Sequence, residues 1–312
     1  MKRFLPALIL TLSLVACNDD EVTPKDSQVK NTNGNATLMG TANNRSKGSV
    51  VTLGSVQAVS EGDIDLCEVA SRMEMPRLHG GKRNLFIVHT VPTYGVNYCM
   101  EYNYDLRAQY WSAFRWDKSN TKKKVSRTNA WSADPLIPKA YQTDYIDHQG
   151  NNLTRGHMLA SEDRVNSTEA NEQTFYYSNM HPQLYEFNTD GIWWHLENKV
   201  IRDKFNTDGF RDTLYVVKGG TISSGMYVIA KKLPVPDYFF MAILCKKNSN
   251  PSQGGYKAIG FWMPHEENTD TNYKNYAVSI DRLEQLTGID FFCNLPDDIE
   301  AQVERSLVTS LW

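Results

Sequence analysis

The spacing of apolar and polar positions changes period several times along this chain, and each change marks an element. Runs rich in β-branched and aromatic residues predict strands at Asn84–Val91, Val96–Tyr104, Gln109–Arg115, Thr213–Val217, Tyr238–Cys245, Tyr256–Met263 and Tyr276–Ile280. Helical spacing predicts helices over Ala170–Phe175, Gly191–Lys204, Arg282–Leu286 and Asp298–Leu307. Asp190 is the expected N-cap of the second, and Asp281 with Glu284 the expected capping box of the third. Within the second helix Trp193 and Glu197 lie four apart on one side, which would turn Glu197 back toward Asn188 at the helix entrance. Strands and helices mix without regular alternation. The expected class is α+β, a central antiparallel sheet flanked by helices.

Ahead of residue 64 the pattern is different. Lys2 and Arg3 precede an apolar stretch, Phe4 to Leu14, that is too short to span a membrane and reads as an export leader. Leu14-Val15-Ala16-Cys17 resembles the lipobox of bacterial lipoproteins, so residues 1–17 are expected to be a signal peptide and Cys17 the lipidated residue. Acyl chains on Cys17 would hold the protein at a membrane surface without a spanning helix. A plain secretory signal with an incidental cysteine is the alternative. Asn18-Asp19-Asp20-Glu21 resembles the export tags of surface lipoproteins, which implies the bacterial outer membrane and the cell surface. Residues 18–63 carry no aromatic residue and are rich in Asn, Ser, Thr and Gly, the composition of a flexible tether. Residues 64–312 are then long enough for one domain with one substantial core.

Four cysteines remain, Cys67, Cys99, Cys245 and Cys293, with no CxxC spacing that would suggest zinc. An exported chain favours disulfides, and pairing neighbours in sequence gives Cys67–Cys99 with Cys245–Cys293. The formal net charge is −3, or −5 once Lys2 and Arg3 are lost with the leader, which argues mildly against a polyanion partner. Its distribution argues the other way. Asp105 to Arg155 carries nine basic residues against five aspartates, while Glu266 to Glu304 carries ten acidic residues against two basic ones. Lys122-Lys123-Lys124 could be no more than a solvated hairpin tip, but it lies just ahead of Arg127 in a stripe suited to steering nucleic acid.

That stripe leads to Leu153-Thr154-Arg155-Gly156-His157, followed by Ser178-Asn179-Met180, Asn188 and Trp193-Trp194-His195-Leu196-Glu197. His157 can accept a proton from water near neutral pH, and Arg155 can clamp a phosphate with parallel N–H bonds. Asn188 offers a neutral amide oxygen that would leave several waters on a cation, as magnesium prefers. Glu197 would accept hydrogen bonds from such waters. Asn179 could donate to a phosphate, orient His157, or fix a turn before Pro182. Each residue also has an ordinary structural reading; the ordered set points to metal-dependent phosphodiester hydrolysis.

Thr154-Arg155-Gly156-His157, with Thr174 through Met180 and Asn188 through Glu197, resembles the DNA/RNA non-specific endonucleases, which have the ββα-metal active site. The resemblance runs from about Leu85 to Glu304 and includes Tyr215-Val216-Val217-Lys218-Gly219-Gly220. It implies His157 as general base, Asn188 as the Mg2+ ligand and Glu197 as the carboxylate behind it. Arg155 and Asn179 would bind or position phosphate, with Arg127 as a further substrate arginine. It also implies hydrolysis of DNA and RNA to 5′-phosphate ends. The motif's usual leading Asp is Thr154 here, which loses a charge but keeps a short hydrogen-bonding side chain. Mn2+ would suit one amide and a set of waters as well as Mg2+ does. The oligomeric state is open, a homodimer included. The competing reading is a nucleic-acid-binding or adhesive surface lipoprotein on an inactive nuclease scaffold.

Overall fold

Alternating side chains place two hydrophobic layers on opposite faces of a single large sheet. The computed structural model describes residues 31–39, 45–145, 148, 150, 152–223, 226, 228–229, 233–250 and 252–312. The proposed signal peptide, Cys17 and the first part of the expected tether lie outside the described residues.

The strands used below are β1 (Val51–Leu53), β2 (Val56–Ser60), β3 (Asn84–Val91), β4 (Gly95–Asn103), β5 (Ala108–Trp116), β6 (Leu153–His157), β7 (Met180–Leu184), β8 (Thr213–Gly220), β9 (Tyr238–Lys246), β10 (Tyr256–Pro264) and β11 (Ala277–Val278). Nine of them form the sheet in the order β11-β10-β9-β8-β5-β4-β3-β2-β1, while β6 and β7 pair separately. All seven predicted strands appear within it. The sheet is antiparallel except at β2, which runs parallel to β3, so it is mixed. Strand β9 shows the partition: Phe239, Met241, Ile243 and Cys245 enter one core layer, and Phe240, Ala242 and Leu244 the other.

The part of the tether that is described proves to be folded. Strands β1 and β2 lie inside it, Val56, Ala58 and Val59 are buried, and Asn35 donates to the carbonyls of Ala70 and Pro76. The ordered domain therefore begins ahead of residue 64, and alternation along β2 supplies apolar contacts that overall composition conceals.

The helices used below are α1 (Leu66–Ala70), α2 (Thr168–Gln173), α3 (Tyr185–Thr189), α4 (Ile192–His195), α5 (Ile280–Thr287) and α6 (Asp297–Val303). Helix α4 continues as a π-helical segment over Leu196–Phe205. Two caps differ from expectation. Gly191 rather than Asp190 precedes α4, because Asp190 closes α3. Ser279 caps α5 by accepting from the Arg282 N–H, and Glu284 instead accepts from the Phe291 N–H at 2.8 Å.

Among the described residues no disulfide is formed. The sheet itself separates Cys245 from Cys293: the Cys245 thiol donates to the Phe210 carbonyl within one core layer, and the Cys293 thiol to the Met75 carbonyl on the other side. Burial pushes the Cys99 thiol up, so it behaves as a small core group.

Candidate active site

Strands β6 and β7 are antiparallel, with Gly156 opposite His181 and His157 opposite Met180, and α3 and α4 follow at once. This ββα unit packs on the sheet through Phe187 and Trp193, whose rings meet Phe239 at 5.3 Å each. Gly156 is a steric requirement, since a Cβ there would occupy the space of the Gln183 side chain.

The unit opens onto a cavity of about 450 Å³ that brings together Arg127, Arg155, His157, Asn188 and Glu197. The His157 ring lies against Phe175 and Trp131, with centroids 5.3 and 5.5 Å away. Its Nε2 is shut off from solvent without a protein partner. Burial, then the charges of Arg127 and Arg155, push the imidazole down to about 3, so it is neutral. The Arg155 guanidinium stacks 3.8 Å above Trp131 and 4.3 Å from Tyr145, and Arg127 lies 4.7 Å from the Phe175 ring. These flat aromatic faces aim two cations at one space with little freedom left to lose.

The Asn188 amide nitrogen donates to Thr154 Oγ1 at 3.1 Å, and the Thr154 hydroxyl bonds the Gln183 carbonyl at 3.2 Å. Thr154 thus fixes the flip of the amide and leaves the Asn188 oxygen as the end free for a cation. One neutral oxygen, with water to complete the shell, fits a hydrated divalent ion.

Glu197 shares the inward side of its helix with Trp193, and there it meets Lys218 rather than Asn188. Lys218, wholly buried on β8, lies 2.7 Å from Glu197 and 3.6 Å from Asp163, which also pairs with Arg202 at 2.6 Å. Burial raises the Glu197 carboxyl and Lys218 opposes that rise. For Asp163 burial is outweighed by Arg202 and Lys218, which hold its carboxyl down.

Asn179 stands outside the cavity. It is fully buried, its amide donates to the carbonyls of Leu159 and Thr174, and its oxygen accepts from the Leu159 N–H. With its hydrogen bonds spent on protein it cannot reach a phosphate; it ties the chain after His157 to the end of α2. His181 is buried in β7, pushed down to about 3 by burial and then by His148. Sequence reasoning missed Trp131, Tyr145, His148 and Lys218. Lys218 had a signal, since alternation from Leu214 and Val216 points it into the core.

Residues 87–298 match the family model described as DNA/RNA non-specific endonuclease. The chain belongs to that family. Members similar to it include the mitochondrial nuclease EXOG of Xenopus laevis, 30% identical over 65% of this chain and 58% of its own length. Others are nuclease C1 of Cunninghamella echinulata, 28% identical over 64% of this chain and 81% of that protein, and a nuclease of Nostoc, 27% identical over 67% and 76%. The chain thus spans less than two thirds of the Xenopus relative. A chain in the crystal structure of the EndoG/EndoGI complex shares the fold, with a TM-score of 0.54 and 21% identity over 64% of this chain and 84% of that one. The ββα-metal fold expected from Thr154 through Glu197 is therefore the fold of the family and of this chain.

Proposed function

We propose that the protein hydrolyses phosphodiester bonds of DNA and RNA with little sequence preference, leaving 5′-phosphate ends. The observation that carries this reading is a neutral imidazole set between two aromatic-backed arginines and an amide oxygen in one cavity. Arg127 and Arg155 bind the scissile phosphate and stabilise charge as it develops. A phosphate there also offsets the positive field that holds His157 down, raising its basicity when substrate is in place. His157 takes the proton of the attacking water; with Nε2 sealed off, Nδ1 is the nitrogen available. Asn188, oriented by Thr154, would hold Mg2+ or Mn2+ with Glu197 accepting from its waters; such an ion supplies charge screening and an acidic water near the leaving oxygen. The intact set favours an enzyme over an inactive binding scaffold.

Plasmid nicking with magnesium, compared with EDTA, tests the activity. His157→Ala should keep the fold and nucleic-acid binding and lower turnover by about two to four orders of magnitude. Turnover within a few-fold of the parent would remove His157 from the role. Attachment to a bacterial membrane through acylated Cys17 is a separate proposal, resting on Leu14-Val15-Ala16-Cys17. Mass spectrometry of the mature N-terminus tests it, and an unmodified Cys17 would overturn it.

A further inference from the structure

A second group of acidic side chains lies beneath the opposite face of the sheet, where α5 and α6 pack. Asp281 and Glu284 stand one turn apart on α5, and the chain leaving α6 brings Glu304 to them, with the Asp281 N–H donating to the Glu304 carbonyl at 3.2 Å. One carboxylate oxygen from each of the three lies within 4.8 Å of the others. Glu304 is only 5% exposed, and its Oε1 is shut off from solvent with no hydrogen-bond partner. Beside it is a cavity of about 460 Å³ whose walls include Glu284, Asp290, Glu300 and Glu304 and, among the described residues, no lysine or arginine.

An unpaired buried carboxylate must either stay protonated or find a cation. The spacing suits a metal. Ligands on one calcium ion sit roughly 2.3–2.6 Å from it, so two of them can be at most about 5 Å apart, as these oxygens are. Three protein carboxylates from two helices also suit calcium better than magnesium, which keeps most of its water.

We propose that Asp281, Glu284 and Glu304 form a structural calcium site that clamps α6 and the C-terminal segment to α5. The site is remote in function from the catalytic cavity and does not depend on the nuclease reading. It also adjoins Asn33, whose side-chain amide donates to Asp290, so the same ion would stiffen the region where the first described residues meet the last helices.

The test is thermal unfolding of the full chain at pH 8, in EDTA and in millimolar CaCl2, with excess MgCl2 in a parallel series to occupy the catalytic cavity. Calcium at about a hundred times Kd should raise Tm by roughly 5 °C or more, with magnesium present or absent. Asn188→Ala should keep the whole rise, and Glu304→Gln should abolish it. In EDTA the Glu304→Gln protein should be at least as stable as the parent, because the substitution removes a buried acid, so loss of the calcium response is read on a folded protein. Glu284→Gln serves as the second variant and should weaken the response at least tenfold in calcium concentration. No rise in the parent, or a full rise in Glu304→Gln, overturns the proposal.

Discussion

Replacing Lys218 with Met should cost more stability than any surface substitution and should be largely repaired by a second change at Glu197. Lys218 has no exposed surface, and its ammonium is 2.7 Å from Glu197 and 3.6 Å from Asp163. Asp163 keeps Arg202 at 2.6 Å when the lysine is removed, but Glu197 loses its hydrogen-bonded cation. Breaking one side of a buried pair costs about 3–5 kcal/mol, a large share of a domain's total of about 5–15. At roughly 2–4 °C per kcal/mol, Tm should fall by roughly 6–20 °C. Lys218→Met with Glu197→Gln leaves no orphaned charge and should recover at least half of that loss, while nuclease activity stays low because the carboxylate is gone. A double-mutant cycle of urea midpoints for the parent, both single variants and the pair measures the coupling directly. Coupling below about 1 kcal/mol would refute the idea that Lys218 holds Glu197 in its buried position.

Three further outcomes follow from the geometry. Thr154→Val removes the acceptor that fixes the Asn188 amide, so the magnesium concentration for half-maximal rate should rise roughly three- to tenfold, as a lost hydrogen bond of about 0.5–1.5 kcal/mol requires; an unchanged titration would show that the amide is oriented by something else. His89 is pushed up to about 10, because burial is outweighed by Asp134 at 3.1 Å and Glu61 at 3.3 Å, so its contribution is complete below pH 6.5 and is lost as pH rises toward 10; the difference in urea midpoint between the parent and His89→Asn should shrink across that window, and a constant difference would contradict the assignment. Lys123 reaches Glu162 on the cavity wall at 3.7 Å, so exchanging Lys122, Lys123 and Lys124 for Ser should mainly raise KM and flatten its salt dependence, whereas a fall in kcat with the salt slope intact would place these lysines in the chemistry.

The sheet was legible because its strands are buried on both faces or alternate cleanly, as β9 does. Strands β6 and β7 were not, because Leu153-Thr154-Arg155-Gly156-His157 spends its side chains on the cavity and keeps almost no apolar pattern to read. Strand β2 was hidden for another reason: its few apolar residues lie inside a long polar stretch, and pairing between β1 and β3 gives them a place. Arg155, His157 and Asn188, named from residue type and order, line one cavity. Asn179 was misplaced because an asparagine that binds phosphate and one that staples a backbone look alike until burial is known. The partners of Lys218 come from positions 163 and 197, far apart in sequence, so its inward direction could be read but its carboxylates could not.

The seam between the first described residues and the end of the domain also bears on how the chain reaches its native state. The Asn31 amide donates to the Cys293 carbonyl across 262 positions, the Thr32 N–H donates to Asp297, and the Asn35 N–H to Asn294. During synthesis, which proceeds at about 5–20 residues per second, the opening segment must wait roughly 15–50 s for those partners to be made. Until then it has only its nearer partners, such as the Ala70 and Pro76 carbonyls that Asn35 bonds. Closure of so long a loop is entropically late, so the bonds from Asn31, Thr32 and Asn35 to residues 293–297 form only once the end of the domain is present. A chain cut short before Cys293 would keep the bonds of Asn35 to Ala70 and Pro76 but lose those that tie its beginning to its end, leaving that segment easier for proteases to reach.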